Sequence, residues 1–119
     1  MSAKLEFLEG DAFTFTWTIK RLGSVVDISS WTLELYLHDD GETAGTNRVN
    51  AAALTIVSGT AGTASYAFTA TDTLITESTS SVTDVTGEYS IKTTDPSSNV
   101  QWTQKGRYTI SRNPFIAAT

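Results

Sequence analysis

The sequence predicts an all-β protein: an immunoglobulin-like β-sandwich of about seven or eight antiparallel strands, in a single domain covering residues 1–119. Three observations support this prediction. Large apolar residues alternate with polar ones in several short segments, which is the period of a half-buried strand. Turn-forming residues separate these segments at short intervals. The 119 residues include 21 threonines and 13 serines, residue types that suit strand surfaces and turns.

The first half of the chain contains two clear strands. In residues 13–19, the large apolar side chains fall on one face: Phe13, Phe15, Trp17 and Ile19. A turn around Gly23 follows, and residues 25–28 resume an extended pattern. The next segment has the same alternation, with four apolar residues on one face: Trp31, Leu33, Leu35 and Leu37. Both segments therefore predict strands with one buried face and one polar face.

The second half predicts further strands with weaker patterns. Residues 51–57 and 63–70 each read as one strand, and a turn rich in glycine separates them. The alternation fails over residues 71–86, which indicates a loop. It returns in residues 87–94 and again in residues 100–110. These two last segments predict a hairpin.

Local residue chemistry marks the connections. The turn over residues 95–99 contains Pro96, which presets φ, and flanking Asp and Asn residues that bond to their own backbone. Gly106 indicates a bulge within the last strand. Thr71 and Asp72 have the chemistry to cap a single helical turn through Ile75.

Composition argues against several classes of function. The chain has no cysteine, which excludes a disulfide scaffold, thiolate metal sites and thiol catalysis. Its net charge of -5 argues against nucleic-acid binding. No apolar run approaches the roughly 20 residues of a membrane span, and the N-terminus does not read as a signal peptide. We therefore expect synthesis in a cytoplasm and no nucleic-acid or membrane partner.

One histidine and one acidic run are the candidates for chemistry. His38 lies beside Asp39, but adjacent residues on a strand point to opposite faces, so a catalytic pair is not expected. The run Asp39-Asp40-Gly41-Glu42 lacks the ligand spacing of an EF-hand, and a solvated acidic turn is preferred to a calcium loop. The sequence thus predicts no catalytic residue, no cofactor and no metal site.

The aromatic residues offer a second kind of site. Three tryptophans would suit a sugar-binding platform if they were exposed: Trp17, Trp31 and Trp102. Each lies in register with the apolar face of its own strand, which favours packing in the core. Tyr36 lies on the opposite face of its strand, and we expect it to be exposed in a protein contact.

Two long segments resemble a known family. EGDAFTFTWTIKRLGSVVDISSWTLELYLHD, from Glu9 to Asp39, opens with Gly-Asp and an aromatic/threonine strand, followed by a glycine turn and a tryptophan strand. TGEYSIKTTDPSSNVQWTQKGRYTISRNP, residues 86–114, has a Gly-x-Tyr strand, an Asp-Pro-Ser turn and a last strand entered through Lys-Gly-Arg. In the order of these features, the chain resembles the N-terminal domain of bacteriophage baseplate upper proteins and related tail proteins.

The resemblance implies a non-enzymatic structural protein of a phage virion. The expected place is the tail or baseplate, as a component or adaptor that binds other virion proteins and forms a trimer or hexamer if it self-associates. Head decoration is an alternative within this class. A carbohydrate-binding or adhesin module is the alternative from another class.

The two chain ends and the loop over residues 39–50 are the expected contact segments, because such segments are free to reach neighbouring molecules. Together with Tyr36, they give a set of nine candidate contact residues: Lys4, Leu5, Phe7, Tyr36, Asp39, Asp40, Glu42, Phe115 and Ile116.

Overall fold

The computed structural model describes residues 4–75 and 84–115, and the regular elements in these ranges are all β-strands. The prediction of an all-β protein is confirmed, with more strands than the seven or eight expected. No helix in the described ranges is long and apolar enough to cross a membrane. The strands are β1 (Leu5–Leu8), β2 (Phe13–Thr18), β3 (Lys20–Arg21), β4 (Ser24–Val25), β5 (Thr32–Asp39), β6 (Val49–Ala53), β7 (Thr55–Ser58), β8 (Thr63–Phe68), β9 (Asp84–Thr94) and β10 (Val100–Ser111).

The strands form two main sheets and one small hairpin. The larger sheet has the order β1-β10-β9-β5-β6, the smaller has the order β2-β8-β7, and β3 pairs with β4. The pairs are antiparallel except β1 with β10, which run parallel with Leu5 opposite Tyr108. The expectation of a wholly antiparallel fold is therefore wrong at this edge, because the N-terminal segment lies alongside the last strand in the same direction.

The hydrophobic core contains the inner faces of both main sheets. The apolar residues of β5 are buried as their alternation predicts: Leu33, Leu35 and Leu37. Aromatic rings connect the sheets: Phe7 of β1 lies 4.9 Å from Phe68 of β8, measured between ring centroids. Trp17 of β2 lies 5.9 Å from Tyr89 of β9. These contacts leave the other face of the larger sheet directed away from the core.

Residues 51–57 belong to two strands, although their pattern predicts one. β6 ends at Ala53 and pairs with β5, whereas β7 begins at Thr55 and pairs with β8. Between them, the Leu54 N–H donates to the Leu33 carbonyl at 2.9 Å. The chain changes sheets at this point, and an apolar pattern that continues through the change does not reveal it.

A β-bulge in β10 determines which of its side chains face the core. Between Thr103 and Gly106, β10 contains one more residue than the paired part of β9, and Gln104 has a φ of 54°. An extra residue reverses the alternation of side chains. Trp102, before the bulge, is therefore 57% exposed, whereas Tyr108, after it, is buried. The expectation that Trp102 packs in the core is wrong for this reason.

Two glycines make room for the buried tyrosine rings of the larger sheet. A Cβ atom on Gly87 would lie 2.3 Å from the His38 carbonyl oxygen and 2.4 Å from the end of the Tyr108 ring. A Cβ atom on Gly106 would lie 2.6 Å from the Tyr89 ring. The absence of a side chain at these two positions therefore allows each tyrosine to lie across the neighbouring strand.

The N-terminal segment is part of the fold from Leu5 onwards. Leu5 and Phe7 are buried side chains of β1, so the expectation that they form a free contact arm is wrong. Their alternation in a four-residue strand is too short to stand out in the sequence. The expected helical turn after Thr71 is likewise absent from residues 71–75, which form a hydrogen-bonded turn instead.

Candidate binding surface

The outer face of the larger sheet carries a pair of aromatic side chains. We define this face by the side chains of β5, β9 and β10 that point away from the core. Tyr36 of β5 and Trp102 of β10 meet there across β9, with ring centroids 4.9 Å apart and planes inclined by 55°. Small Ser90 lies opposite Tyr36 on β9, which leaves space for both rings above it. Tyr36 thus lies on the outer face, as expected, next to Trp102, which the sequence pattern places in the core.

Two clefts border Trp102. The first, here called the Trp102 groove, has a volume of about 270 Å³ and is lined by Tyr36, His38, Asn47, Glu88, Tyr89, Ser90, Trp102 and Lys105. The second, here called the hairpin cleft, has a volume of about 350 Å³ and is lined by Lys20, Arg21, Leu22, Gln101, Trp102 and Thr103. Trp102 is common to the linings of both clefts.

Hydrogen bonds fix the hairpin cleft against β10. The Thr103 hydroxyl donates to the Lys20 carbonyl at 3.1 Å, and the Lys20 N–H donates to the side chain of Gln104 at 3.3 Å. Arg21 is held in turn by Trp31, with the guanidinium 4.8 Å from the ring centroid. Trp31 is half-buried and packs against the core. The expectation that Trp31 packs in the core is therefore correct only in part. Trp17, by contrast, is buried as expected.

Charged side chains beside the Trp102 groove are paired with one another. Glu88 lies 3.6 Å from Lys105 and 3.7 Å from Arg107. Arg107 also donates to both carboxylate oxygens of Asp40, at 3.0 and 2.5 Å. Each of these charged side chains beside the groove therefore has a partner of opposite charge close by.

His38 points towards the loop that follows β5. Its Nδ1 lies 3.0 Å from the side-chain oxygen of Asn47, and its Nε2 lies 3.2 Å from the carbonyl oxygen of Glu42. Asp39 points into the fold and does not contact this ring, as the alternation of the strand predicts. The two residues therefore do not form the arrangement of a catalytic histidine and its carboxylate.

Asp39 belongs to a largely buried cluster with Arg48 and Tyr108. Arg48 donates two hydrogen bonds of 2.8 Å to the Asp39 carboxylate, and the Tyr108 hydroxyl donates to the same group. Burial lowers the pKa of Arg48, but the hydrogen bonds and charge of Asp39 outweigh this effect and the net shift is upward. Burial, followed by the hydrogen bond to Asp39, raises the pKa of Tyr108. The expectation that Asp39 is a solvated turn residue is therefore wrong.

The acidic run does not gather its carboxylates. Asp39 binds Arg48, whereas Asp40 binds Arg107 and Thr86 on the surface. Within residues 4–75 and 84–115, no group of three or more His, Cys, Asp or Glu side chains is placed to hold a metal ion. Asp39 and Asp40 thus belong to two separate networks of side chains.

A pH titration tests the surface network. The hydrogen bonds from Arg107, followed by that from Thr86, hold the pKa of Asp40 below its ordinary value of 3.8. Because the folded pKa is below the unfolded one, these bonds stabilise the fold above the unfolded pKa, and the contribution is lost as pH falls through the folded pKa. We expect carboxyl NMR to show Asp40 titrating below 3.8, and Arg107→Leu to raise its pKa.

Asp95 is the internal control for this titration. Hydrogen bonds from Asn99 lower its pKa, at the opposite end of the sheet from Arg107. The Asp95 pKa should therefore be the same in the Arg107→Leu variant. An Asp40 pKa that does not respond to this substitution would contradict the assigned network.

The candidate contact residues fall into three groups. Leu5, Phe7 and Asp39 point into the fold. Ile116 lies outside the described residues. Five remain on the surface, fully or partly exposed: Lys4, Tyr36, Asp40, Glu42 and Phe115. Sequence reasoning missed Trp102 as a surface residue; Gly106 signals a bulge, but the number of inserted residues, which determines the direction of Trp102, depends on the pairing with β9.

Comparisons with known proteins concern the fold. No protein-family model and no curated protein sequence matches this chain. Among solved structures, the chain is similar to the "N-terminal domain of phage TP901-1 ORF48", with a TM-score of 0.57 and 10% sequence identity. The similarity covers 92% of this chain and 85% of that one. The chain therefore has a fold similar to that of a phage protein domain, which agrees with the phage baseplate-like fold that the sequence resemblance implies.

Proposed function

We propose that this chain is a non-enzymatic structural protein of a bacteriophage virion. It acts in the tail or baseplate as a component or adaptor that binds other virion proteins. The observation that carries the proposal is the similarity of fold to a phage protein domain over 92% of the chain. His38, Asp39 and Asp40 each contact another side chain of the same chain, and these contacts stabilise the fold and its surface. This use supports a binding role for the protein.

The strand order supports an immunoglobulin-like sandwich as the finer description of the fold. In immunoglobulin domains, strands G, F, C and C′ form one sheet, and strands B, E and D belong to the other. The orders β10-β9-β5-β6 and β2-β8-β7 correspond to these two sets. Antibody domains join strands B and F by a disulfide. Here Trp17 and Tyr89 make the contact between the corresponding strands, β2 and β9.

One end of the sheets is the proposed contact surface with the virion. The loop after β5 begins there, because the Asp40 N–H donates to the Thr86 carbonyl at 2.9 Å near the start of β9. β10 ends at the same place, where Ser111 pairs with Asp84. Phe115 follows and is 91% exposed. An acidic loop and an exposed aromatic side chain at the same end of the sheets suit a partner with an apolar recess and basic residues around it.

Deletion of the gene from the phage that encodes it tests the proposal. We expect particles without the chain to be non-infectious and to lack part of the distal tail in electron micrographs, because a missing adaptor leaves its neighbours unattached. Wild-type protein supplied in trans should restore infectivity. Phe115→Ser together with Glu42→Lys should restore it poorly, and Val57→Ser, a change of an exposed residue on the other sheet, should restore it fully.

The appearance of the deleted particles distinguishes the alternatives. Intact tails with fragile or altered heads would favour head decoration and contradict the tail assignment. Infectious particles of normal appearance would contradict a structural role altogether.

A further inference from the structure

We propose that the Trp102 groove binds a neutral saccharide, with the exposed face of Trp102 as the stacking surface. Two of its aromatic residues, Trp102 and Tyr36, lie on the outer face of the larger sheet and are separate from Phe115, although His38 and Asn47 of the lining adjoin the loop proposed as a virion contact.

The bulge in β10 is what places Trp102 outward. An unbroken strand that buries Tyr108 would also bury Trp102, because residues separated by an even number of positions share a face. The extra residue and the positive φ of Gln104 reverse this direction. Tyr36 then packs against one side of the indole, which restricts the rotation of Trp102 without covering it. A large aromatic side chain is thus exposed in a fixed orientation, and this geometry suits a stacking ligand.

The polar lining complements the aromatic ring. Both nitrogens of His38 already contact the loop after β5. The remaining capacity around the aromatic rings is the spare N–H donors of Lys105 beside its ion pair and the acceptor oxygens of Glu88 and Ser90. These groups include both donors and acceptors. A sugar ring has weakly positive C–H groups on its faces, which are attracted to the negative face of an aromatic ring. Its hydroxyl groups lie around the edge, where they reach such donors and acceptors.

The charge pattern favours a neutral ligand over a charged one. Glu88 lies within 3.7 Å of Arg107 and within 3.6 Å of Lys105, and Arg107 also binds Asp40. No unbalanced charge therefore faces the groove to attract an ion. The volume of about 270 Å³ is near the lower limit of ligand clefts, roughly 300 Å³. A shallow cleft of this size suits one sugar unit, and we expect weak binding with a Kd of about 1 mM.

Saturation-transfer NMR on the full chain tests the proposal with three neutral probes: cellotriose, chitotriose and maltotriose. We expect transfer from the protein to the ring protons of at least one of them. Trp102→Ala should weaken its binding about tenfold, since an aromatic contact and its buried area are lost together. Trp102→Phe should give an intermediate affinity. Phe115→Ala removes a more exposed aromatic residue elsewhere and should leave the binding unchanged.

Three results would overturn the proposal. The first is the absence of transfer to all three probes at 10 mM, about ten times the expected Kd. The second is transfer that Trp102→Ala leaves unchanged. The third is a concentration-dependent dimer that Trp102→Ala abolishes, because the groove is then the interface with a second copy. A thermal melt of each variant provides the folding control, and Trp102→Phe replaces Trp102→Ala if the latter fails to fold.

Discussion

Glu9→Ala should destabilise the fold by about 3–5 kcal/mol, the range for removing one partner of a buried charged network. Glu9 is fully buried, and its carboxylate accepts hydrogen bonds from the Ile75 N–H at 2.9 Å and the Asn113 N–H at 3.2 Å. Arg112 lies 3.7 Å from the same group. Alanine would leave one buried and one partly buried donor without their acceptor and would remove an anionic partner of Arg112. Chemical denaturation followed by circular dichroism measures the change in the free energy of unfolding.

Two comparisons make the Glu9 result specific. Glu9→Gln keeps one side-chain oxygen as an acceptor, so its free energy of unfolding should lie between those of the wild type and Glu9→Ala. Glu6→Ala changes an exposed carboxylate of β1, the strand that ends just before Glu9, and should cost less than about 0.5 kcal/mol. Equal free energies for Glu9→Ala and Glu6→Ala would contradict the role assigned to Glu9.

Arg48→Met should have a similarly large effect, about 3–5 kcal/mol, because it leaves the carboxylate of Asp39 without its cation. Arg48 also donates to the carbonyl oxygens of Asp72 and Leu74, so it ties the segment after β8 to the β5–β6 pair. We expect faster proteolysis within residues 71–75 as well as a lower free energy of unfolding. Limited proteolysis and denaturation of the same samples measure both effects.

Arg107→Met is the matched control for Arg48→Met. Arg107 also pairs bidentately with an aspartate, Asp40, but both side chains are about half exposed, at 50% and 47%. Exposed ion pairs contribute little to stability, because water and salt screen them, so Arg107→Met should destabilise the fold much less than Arg48→Met. A ranking in which Arg107→Met destabilises more than Arg48→Met would show that burial does not determine the strength of these two networks.

The alternation of β5 predicted the centre of the fold correctly, whereas that of residues 13–19 did so only in part, because Trp17 and Ile19 are buried but Phe13 is 37% exposed. The alternation around Leu35 places three leucines of β5 in the core, and the same argument places Tyr36 on the outer face. The period of a strand is a local property, so it can be read from neighbouring residues alone. The division of residues between the two sheets and the parallel edge at β1 depend on distant pairings, and local patterns do not contain them.

The sequence pattern did not predict the exposure of Trp102, because a single bulge reverses the face of the sheet to which the later side chains of a strand point. The sequence contains the apolar series Val100, Trp102, Tyr108 and Ile110, which reads as one face when the alternation is continued through Gly106. The extra residue at the bulge divides this series, and its first two members are exposed. Gly106 indicated the bulge, but the number of inserted residues depends on the pairing with β9.

Glu9 illustrates the other limit of sequence reasoning. Glutamate is rarely fully buried, so an isolated Glu beside Gly10 reads as a surface turn residue. Its partners lie far along the chain, with Ile75 separated by 66 positions and Asn113 by 104. Only the fold brings them together, and no spacing rule relates positions so far apart.

The proposed role of this chain is that of a structural protein of a phage tail. Quantitative mass spectrometry of purified particles, after separation of tails from heads, tests it most directly. We expect the intact chain in the tail fraction, in a fixed ratio to the other tail proteins and resistant to a high-salt wash. Its absence from purified particles, or its presence in heads alone, would contradict this role.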